Sequence, residues 1–214
     1  MWKKFAVALG CYLSLSCFSM PTLTAKSWIV SQGTVSFGIK TKEIRPIASI
    51  TKLMTVMVYI DAYNELGLKA DRDLIQRAIV YSDNKAAEKL CDTFPGGKYD
   101  CRIMMNLKSQ ELGLENTNFF EPTGLSVFNY STAEDLVKIV EEASKYEEIT
   151  FASHTKKRNT NPTIGKYNYT VSKTGYIHVA GGCIVAKVND RIVIILGSKN
   201  VRTRISELET LLRI

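Results

Sequence analysis

From Ser49 to Ala62 the chain is apolar on almost every helical face: Ile50, Leu53, Met54, Val56, Met57, Val58, Tyr59 and Ile60 leave no polar side. A helix of that kind has no face to show to water, so the rest of the domain must close around it. The β-branched residues would also suit a strand, but the length of the run favours a helix. Two polar groups stand at its start. Ser49 and Lys52 are one turn apart and share a face. An amine drawn into apolar surroundings loses hydration, which lowers its proton affinity and lets it act as a base. Taken alone, Ser49 reads equally as an N-cap and Lys52 as a lysine snorkelling to the surface. Their context has to decide.

That context is helical in the middle and strand-rich at both ends. Ser27 to Gln32 and Thr34 to Thr41 read as a hairpin about Gly33. Helices are predicted over Asp71 to Val80, Lys85 to Thr93 and Tyr99 to Leu112. Another, capped by Ser131-Thr132, runs to about Lys145, and an amphipathic one spans Thr203 to Leu212. Phe151 to Gly165 reads as polar and irregular. Tyr169 to Thr174 reads as a strand, and Ile184 to Val188 with Ile192 to Gly197 as a hairpin across Asn189-Asp190. The pattern predicts an α+β domain. One antiparallel sheet is built from the N- and C-terminal segments, and a helical lobe is inserted between them.

The first 25 residues read differently. Trp2-Lys3-Lys4 precedes the charge-free run Phe5 to Phe18, and Thr22-Leu23-Thr24-Ala25 follows. This is the form of an export signal with processing after Ala25, leaving residues 26–214 as one catalytic domain outside the cytoplasm. The apolar run is short for a membrane span, and no other stretch is long enough, so membrane contact is expected to be peripheral at most. The net charge of +7 comes without a basic stripe interleaved with aromatics, so nucleic acid is not an expected partner. With two histidines and no cysteine–histidine grouping of zinc spacing, no metal is expected.

Three short motifs then fall in order: Ser49-Ile50-Thr51-Lys52, Ser82-Asp83-Asn84 and Lys173-Thr174-Gly175. Singly they are weak, since S-x-x-K also occurs at Ser82 and Ser153. Only the copy at Ser49 opens a buried helix. Together they form the triple of active-site serine β-lactamases and penicillin-binding proteins. Arg45 to Thr55 resembles the nucleophile segment of the low-molecular-mass D-alanyl-D-alanine peptidases. Glu121-Pro122-Thr123-Gly124-Leu125-Ser126, Asn129 to Ala133, Pro95-Gly96-Gly97 and Ala180 to Cys183 extend the likeness, which is nearest to the endopeptidase branch often called penicillin-binding protein 7. One departure is an interval from Lys52 to Ser82 shorter than the family pattern.

The resemblance implies a β-lactamase/DD-peptidase-like fold and a cofactor-free serine peptidase acting on peptidoglycan stem peptides, with β-lactams as covalent inhibitors. It implies Ser49 as nucleophile, Lys52 as its base, and Ser82 and Asn84 lining the cleft, with Ser82 in a proton relay. Lys173, Thr174 and Gly175 would bind substrate, and the amides of Ser49 and Tyr176 would form the oxyanion hole. Two other readings stand beside it. One is a class A β-lactamase, suggested by Glu121-Pro122 but out of register at Gly124-Leu125. The other is a non-catalytic wall-binding module that keeps the cleft.

Cys91 and Cys101 flank Pro95-Gly96-Gly97 in a chain read as exported, and are expected to pair. They read equally as two separate buried thiols. Cys183 is expected to be a buried free thiol. Lys156-Lys157-Arg158 precedes the strand bearing Lys173 and is expected at the cleft mouth. Reversing these three charges should weaken activity on carboxylate-rich stem peptides and flatten its salt dependence. If neither changes, the loop is only a solvated surface.

Overall fold

The computed structural model describes residues 20–214. The first nineteen residues, which hold most of the expected export signal, lie outside the described part. Five strands form one antiparallel sheet in the order β2-β1-β7-β6-β5: β1 (Ser27–Gln32), β2 (Val35–Ile39), β5 (Tyr169–Ile177), β6 (Gly181–Val188) and β7 (Arg191–Ser198). As expected, the chain ends meet in this sheet, with Trp28 opposite Ile195 and Val30 opposite Val193. Strand alternation separates two cores. Ile29, Ile192, Ile194 and Leu196 face the helical lobe. Trp28, Val30, Val193 and Ile195 face α7 (Thr203–Arg213) through Leu208 and Leu211.

The lobe contains α1 (Lys52–Glu65), α2 (Arg72–Val80), α3 (Asn84–Asp92), α4 (Gly97–Glu111), α5 (Ala133–Ala143) and α6 (Glu147–His154). A two-stranded ribbon, β3 (Arg45–Pro46) with β4 (Tyr130–Ser131), ties its base. The first nine residues of α1 are all buried, as its sequence demands. Each aliphatic side chain enclosed there contributes about 1.5–3 kcal/mol. Caps set the helix starts: Asp71 accepts from the Leu74 amide, Asp83 from Lys85 and Ala86, and Thr132 from Asp135.

Three expectations need correction. Part of Phe151 to Gly165 is helical, because α6 runs to His154. Only Ile149, Ala152 and Ser153 of this short helix are buried, too few for a helical period to show in the sequence. Ser49 does not begin the α-helix but sits in a 3₁₀ turn, Ala48–Thr51, and α1 proper starts at Lys52. Lys173-Thr174-Gly175 does not end its strand. Gly175 pairs with Cys183 and Ile177 with Gly181, so β5 continues past the motif.

At the N-terminal edge, the Thr24 and Ala25 amides and the Thr24 hydroxyl donate to the buried carboxylate of Glu207. Processing after Ala25 would remove all three donors.

Cys91 at the end of α3 and Cys101 in α4 form a disulfide across a sequence separation of 10, and Cys183 is a buried free thiol. A loop of that size restrains the unfolded chain by about 2–3 kcal/mol. Replacing both cysteines with serine should lower the unfolding free energy by that amount in a denaturant titration. An unchanged midpoint and slope would show that the bond adds no stability.

Candidate active site

The nucleophile segment is held from three sides. The Ile47 amide donates to Asn129 O at 3.1 Å, and the Thr51 hydroxyl donates to Ala48 O at 2.8 Å. Ala48 has φ +48°, an uncommon conformation for a residue with a Cβ, directly before Ser49. Such a conformation costs of order 1–3 kcal/mol and persists only where packing imposes it. Here the packing comes from two glycines. A Cβ on Gly124 (φ +86°) would lie 2.0 Å from Ala48 O, and one on Gly175 would lie 2.9 Å from Ser49 N. Both neighbours therefore approach the turn at backbone distance.

Lys52 is fully buried, and its ammonium makes three hydrogen bonds: 2.8 Å to Ser49 Oγ, 2.8 Å to Asn84 Oδ1 and 2.5 Å to Thr123 O. Ser49 Oγ is itself 3.4 Å from Thr123 O. Burial pulls the Lys52 amine down to about 8, although Glu121, Asp83 and Glu88 oppose the shift.

Ser82-Asp83-Asn84 is both a cleft element and a helix start. Asp83 Oδ1 caps α3, while its Oδ2 takes Arg77 Nη2 at 2.7 Å. The carboxylate is thereby engaged, and the residues on either side serve the cleft. Asn84 reaches Lys52, and Ser82, with φ +56°, reaches Lys173.

The opposite wall is β5, an edge strand. Lys173 is buried and donates to Ser82 Oγ and Thr174 O, both at 2.9 Å. Its amine is driven well below the ordinary lysine range, first by burial and then by the charges of Lys52 and Arg204. Thr174 donates to the Thr160 hydroxyl at 2.7 Å, and the Thr160 amide donates to Val80 O at 3.1 Å. The loop carrying the exposed Lys156, Lys157 and Arg158 is thus anchored at the cleft by its far end. Tyr176 is half exposed beside Gly175.

Of the eight expected residues, Lys52 touches Ser49 and Asn84, Lys173 touches Ser82, and Gly175 lies against Ser49 N, with Thr174 and Tyr176 on either side of Gly175 in β5. The structure also adds groups that the sequence reading missed. Thr123 contributes a backbone oxygen, to which side-chain identity gives no clue. Thr160 is one hydroxyl in a polar loop. Arg204 is 6% exposed and donates to Gly175 O at 2.7 Å. An arginine on the buried face of the terminal amphipathic helix was the available signal. Among the described residues none of Lys52, Lys173 and Arg204 forms an ion pair, so three buried basic side chains gather with no carboxylate in direct contact.

The D-alanyl-D-alanine carboxypeptidase family, peptidase S11, matches residues 70–199. A D-alanyl-D-alanine endopeptidase of Escherichia coli K12 is 35% identical over 184 residues, covering 67% of this chain and 59% of that protein. The endopeptidase of Pseudomonas aeruginosa is 33% identical over 182 residues, covering 66% and 59%. This chain thus spans about three fifths of the length of these relatives. The ampicillin-bound penicillin-binding protein D2 of Listeria monocytogenes superposes with a TM-score of 0.83 at 24% identity, covering 91% of this chain and 98% of that one, which establishes the fold. With more than half of its length matched, the chain belongs to the D-alanyl-D-alanine carboxypeptidase family.

Proposed function

We propose that this protein is a serine peptidase that cleaves after the penultimate D-Ala of peptidoglycan stem peptides through an ester on Ser49. The observation that carries this reading is the 2.8 Å contact between Ser49 Oγ and a buried, desolvated Lys52 amine. Asn84 Oδ1 and Thr123 O accept two N–H groups of that amine. Once neutral, its lone pair is left facing Ser49 Oγ, positioned to take the proton as the oxygen attacks the D-Ala carbonyl. The amides of Ser49 and Tyr176 serve the oxyanion, a role supported by the approach of β5 to Ser49 N at Gly175. The Ser82 hydroxyl passes the proton to the leaving amine, and water then hydrolyses the ester without a cofactor.

The unpaired cations suit a substrate with a carboxylate. Burial and the charges of Lys52 and Arg204 all work against the proton on Lys173. A carboxylate bound at Lys173 and Thr174 holds the proton on Lys173, which leaves Lys52 as the neutral base when substrate is present. The disulfide supports an extracytoplasmic site of action, and the relatives are named D-alanyl-D-alanine endopeptidases. Among the described residues no helix is long and apolar enough to cross a membrane. The β-lactamase reading is disfavoured by Glu121. Its carboxylate is occupied by the amides of Thr123, Gly124 and Ser126 and is not presented to a water at Ser49.

Incubation with a penicillin should add one molecule's mass at Ser49, and the ester should persist. Ser49→Ala should abolish the adduct and peptidase activity, and Lys52→Ala should be nearly as damaging. An adduct elsewhere, or none on folded protein, would sink the assignment, while rapid loss of the ester would revive the β-lactamase reading.

The acylation rate should also rise with pH through about 8, as Lys52 gives up its proton. At pH 7 about one molecule in ten would hold the base form, against about one in a few thousand for an ordinary lysine. A flat profile between pH 6 and 9 would remove Lys52 as the base.

A further inference from the structure

Glu121 lies outside the three motifs, yet more hydrogen bonds converge on it than on any cleft residue described above. Its Oε2 accepts from the Thr123 amide at 2.7 Å and the Thr123 hydroxyl at 2.6 Å. Its Oε1 accepts from the amides of Gly124 at 2.7 Å and Ser126 at 3.2 Å, and from Asn129 Nδ2. Asn129 closes the turn from the other side, taking the Phe120 amide at 2.7 Å and the Glu121 amide at 3.2 Å on its Oδ1. Every donor on this carboxylate belongs to the turn 121–129. The turn in turn points its carbonyls at the catalytic helix. Thr123 O meets Lys52, Pro122 O takes the Thr55 hydroxyl at 2.8 Å, and Asn129 O takes the Ile47 amide.

Resting on the serine-peptidase reading, we propose that Glu121 is a positioning residue for Lys52. Its carboxylate folds the 121–129 turn so that Thr123 O can hold the amine, and fixes a negative charge directly behind that acceptor. Five donors on one carboxylate fix the charge in place. Burial alone would raise the proton affinity of Glu121. The bonds from Thr123, Ser126 and Gly124 outweigh that and hold it ionised, below the ordinary carboxylate range. No cation pairs with it among the described residues. Lys52 is faced by charges from every side: Glu121 on the turn, Asp83 and Glu88 on α3, Lys173 on β5, and Arg204 on α7 beyond Lys173. Glu121 is the largest of the three acidic influences that counter its desolvation. Geometry and charge thus work on the same amine. The turn supplies an acceptor for the ammonium, and the carboxylate keeps the proton from leaving too early.

The two effects predict opposite changes when the charge is removed. In Glu121→Gln one face of the side chain presents an amide to donors, so the turn loosens and the plateau rate of penicillin acylation falls, by about 10–100-fold for a misplaced catalytic group. Without the negative charge Lys52 loses its proton more easily, so the acid limb of the rate moves to lower pH. Thr123→Val keeps the charge but deletes one bond to it, and should slow acylation while leaving the limb in place. The titration of Lys52, followed by NMR of isotope-labelled lysine in wild type and Glu121→Gln, should move in the same direction as the limb. A folded Glu121→Gln protein with an unmoved limb and an unmoved Lys52 titration would overturn the proposal, whatever its plateau rate. If Glu121→Gln does not fold, Thr123→Val decides, and a wild-type rate there overturns it. Failure of wild type to form an ester at Ser49 would instead count against the peptidase reading, and the Lys52 titration would still test Glu121.

Discussion

The interaction on which the rest of this structure depends is the enclosure of the Lys52 amine. Burying an ammonium without a counter-ion costs several kcal/mol even after relaxation. The protein offsets that cost with three hydrogen bonds drawn from three separate segments: the 3₁₀ turn, the start of α3 and the 121–129 turn. None of the three is near another in sequence, so the amine is a meeting point for the tertiary fold. The apolar face of α1 brings Lys52 inside. The cap at Asp83 sets the start of α3 so that Asn84 faces it. The close approach of Gly124 to Ala48 O puts Thr123 within reach. A change in any of these elements would be felt at the same nitrogen.

A second lysine shares the cleft with the first. Desolvation lowers the proton affinity of Lys52 while Glu121, Asp83 and Glu88 oppose it, and Lys173 in turn feels the charge of Lys52. With Lys173 and Arg204 nearby, the cleft holds more positive charge than it can comfortably keep, and Lys173 bears the largest displacement. An empty cleft of this kind favours an anion, and the edge strand β5 offers hydrogen-bonding backbone beside the same cations. In the proposed reaction, binding and base catalysis would therefore be linked by electrostatics, since a carboxylate held beside β5 would balance the same charge.

Much of this was legible in the sequence, for identifiable reasons. The sheet could be read because Val and Ile cluster at both ends of the chain and Asn189-Asp190 marks a hairpin. The lobe could be read because its helices carry Asp71, Asp83 and Thr132 as caps. Ser49, Lys52, Asn84 and Lys173 were legible as side-chain types at fixed spacing. What escaped was carried by the backbone or by burial. The Thr123 oxygen belongs to no residue type. Glu121 was matched to the peptidase segment and to a β-lactamase carboxylate, but nothing in its sequence position says that it turns inward to amides. The continuation of β5 past Gly175 depends on pairing with Gly181 to Cys183, a register set by tertiary contact and weakly marked in a glycine-rich segment. The 3₁₀ geometry at Ser49 follows from the approach of Gly124 and Gly175, neither of which is local to it.

The interval between Lys52 and Ser82 bears on a different part of the molecule from the chemistry. A groove of about 730 Å³, lined by Asp61, Glu65, Phe94, Met104 and Glu111, opens beside the last turn of α1. Lys52 begins that helix, so the groove at Asp61 is about 13 Å further along its axis. This groove is therefore separate from the cleft and lies at the other end of α1. The connection after α1 is short, and α2 and α3 return the chain at once. The Tyr59 hydroxyl accepts the Asp71 amide at 3.4 Å to guide that return. Asn84 still arrives at Lys52 because its position is fixed by the Asp83 cap and by packing of α3 on α1, not by the length of chain before it. Trimming this interval can thus reshape the outer surface of the lobe while the amine keeps all three of its acceptors.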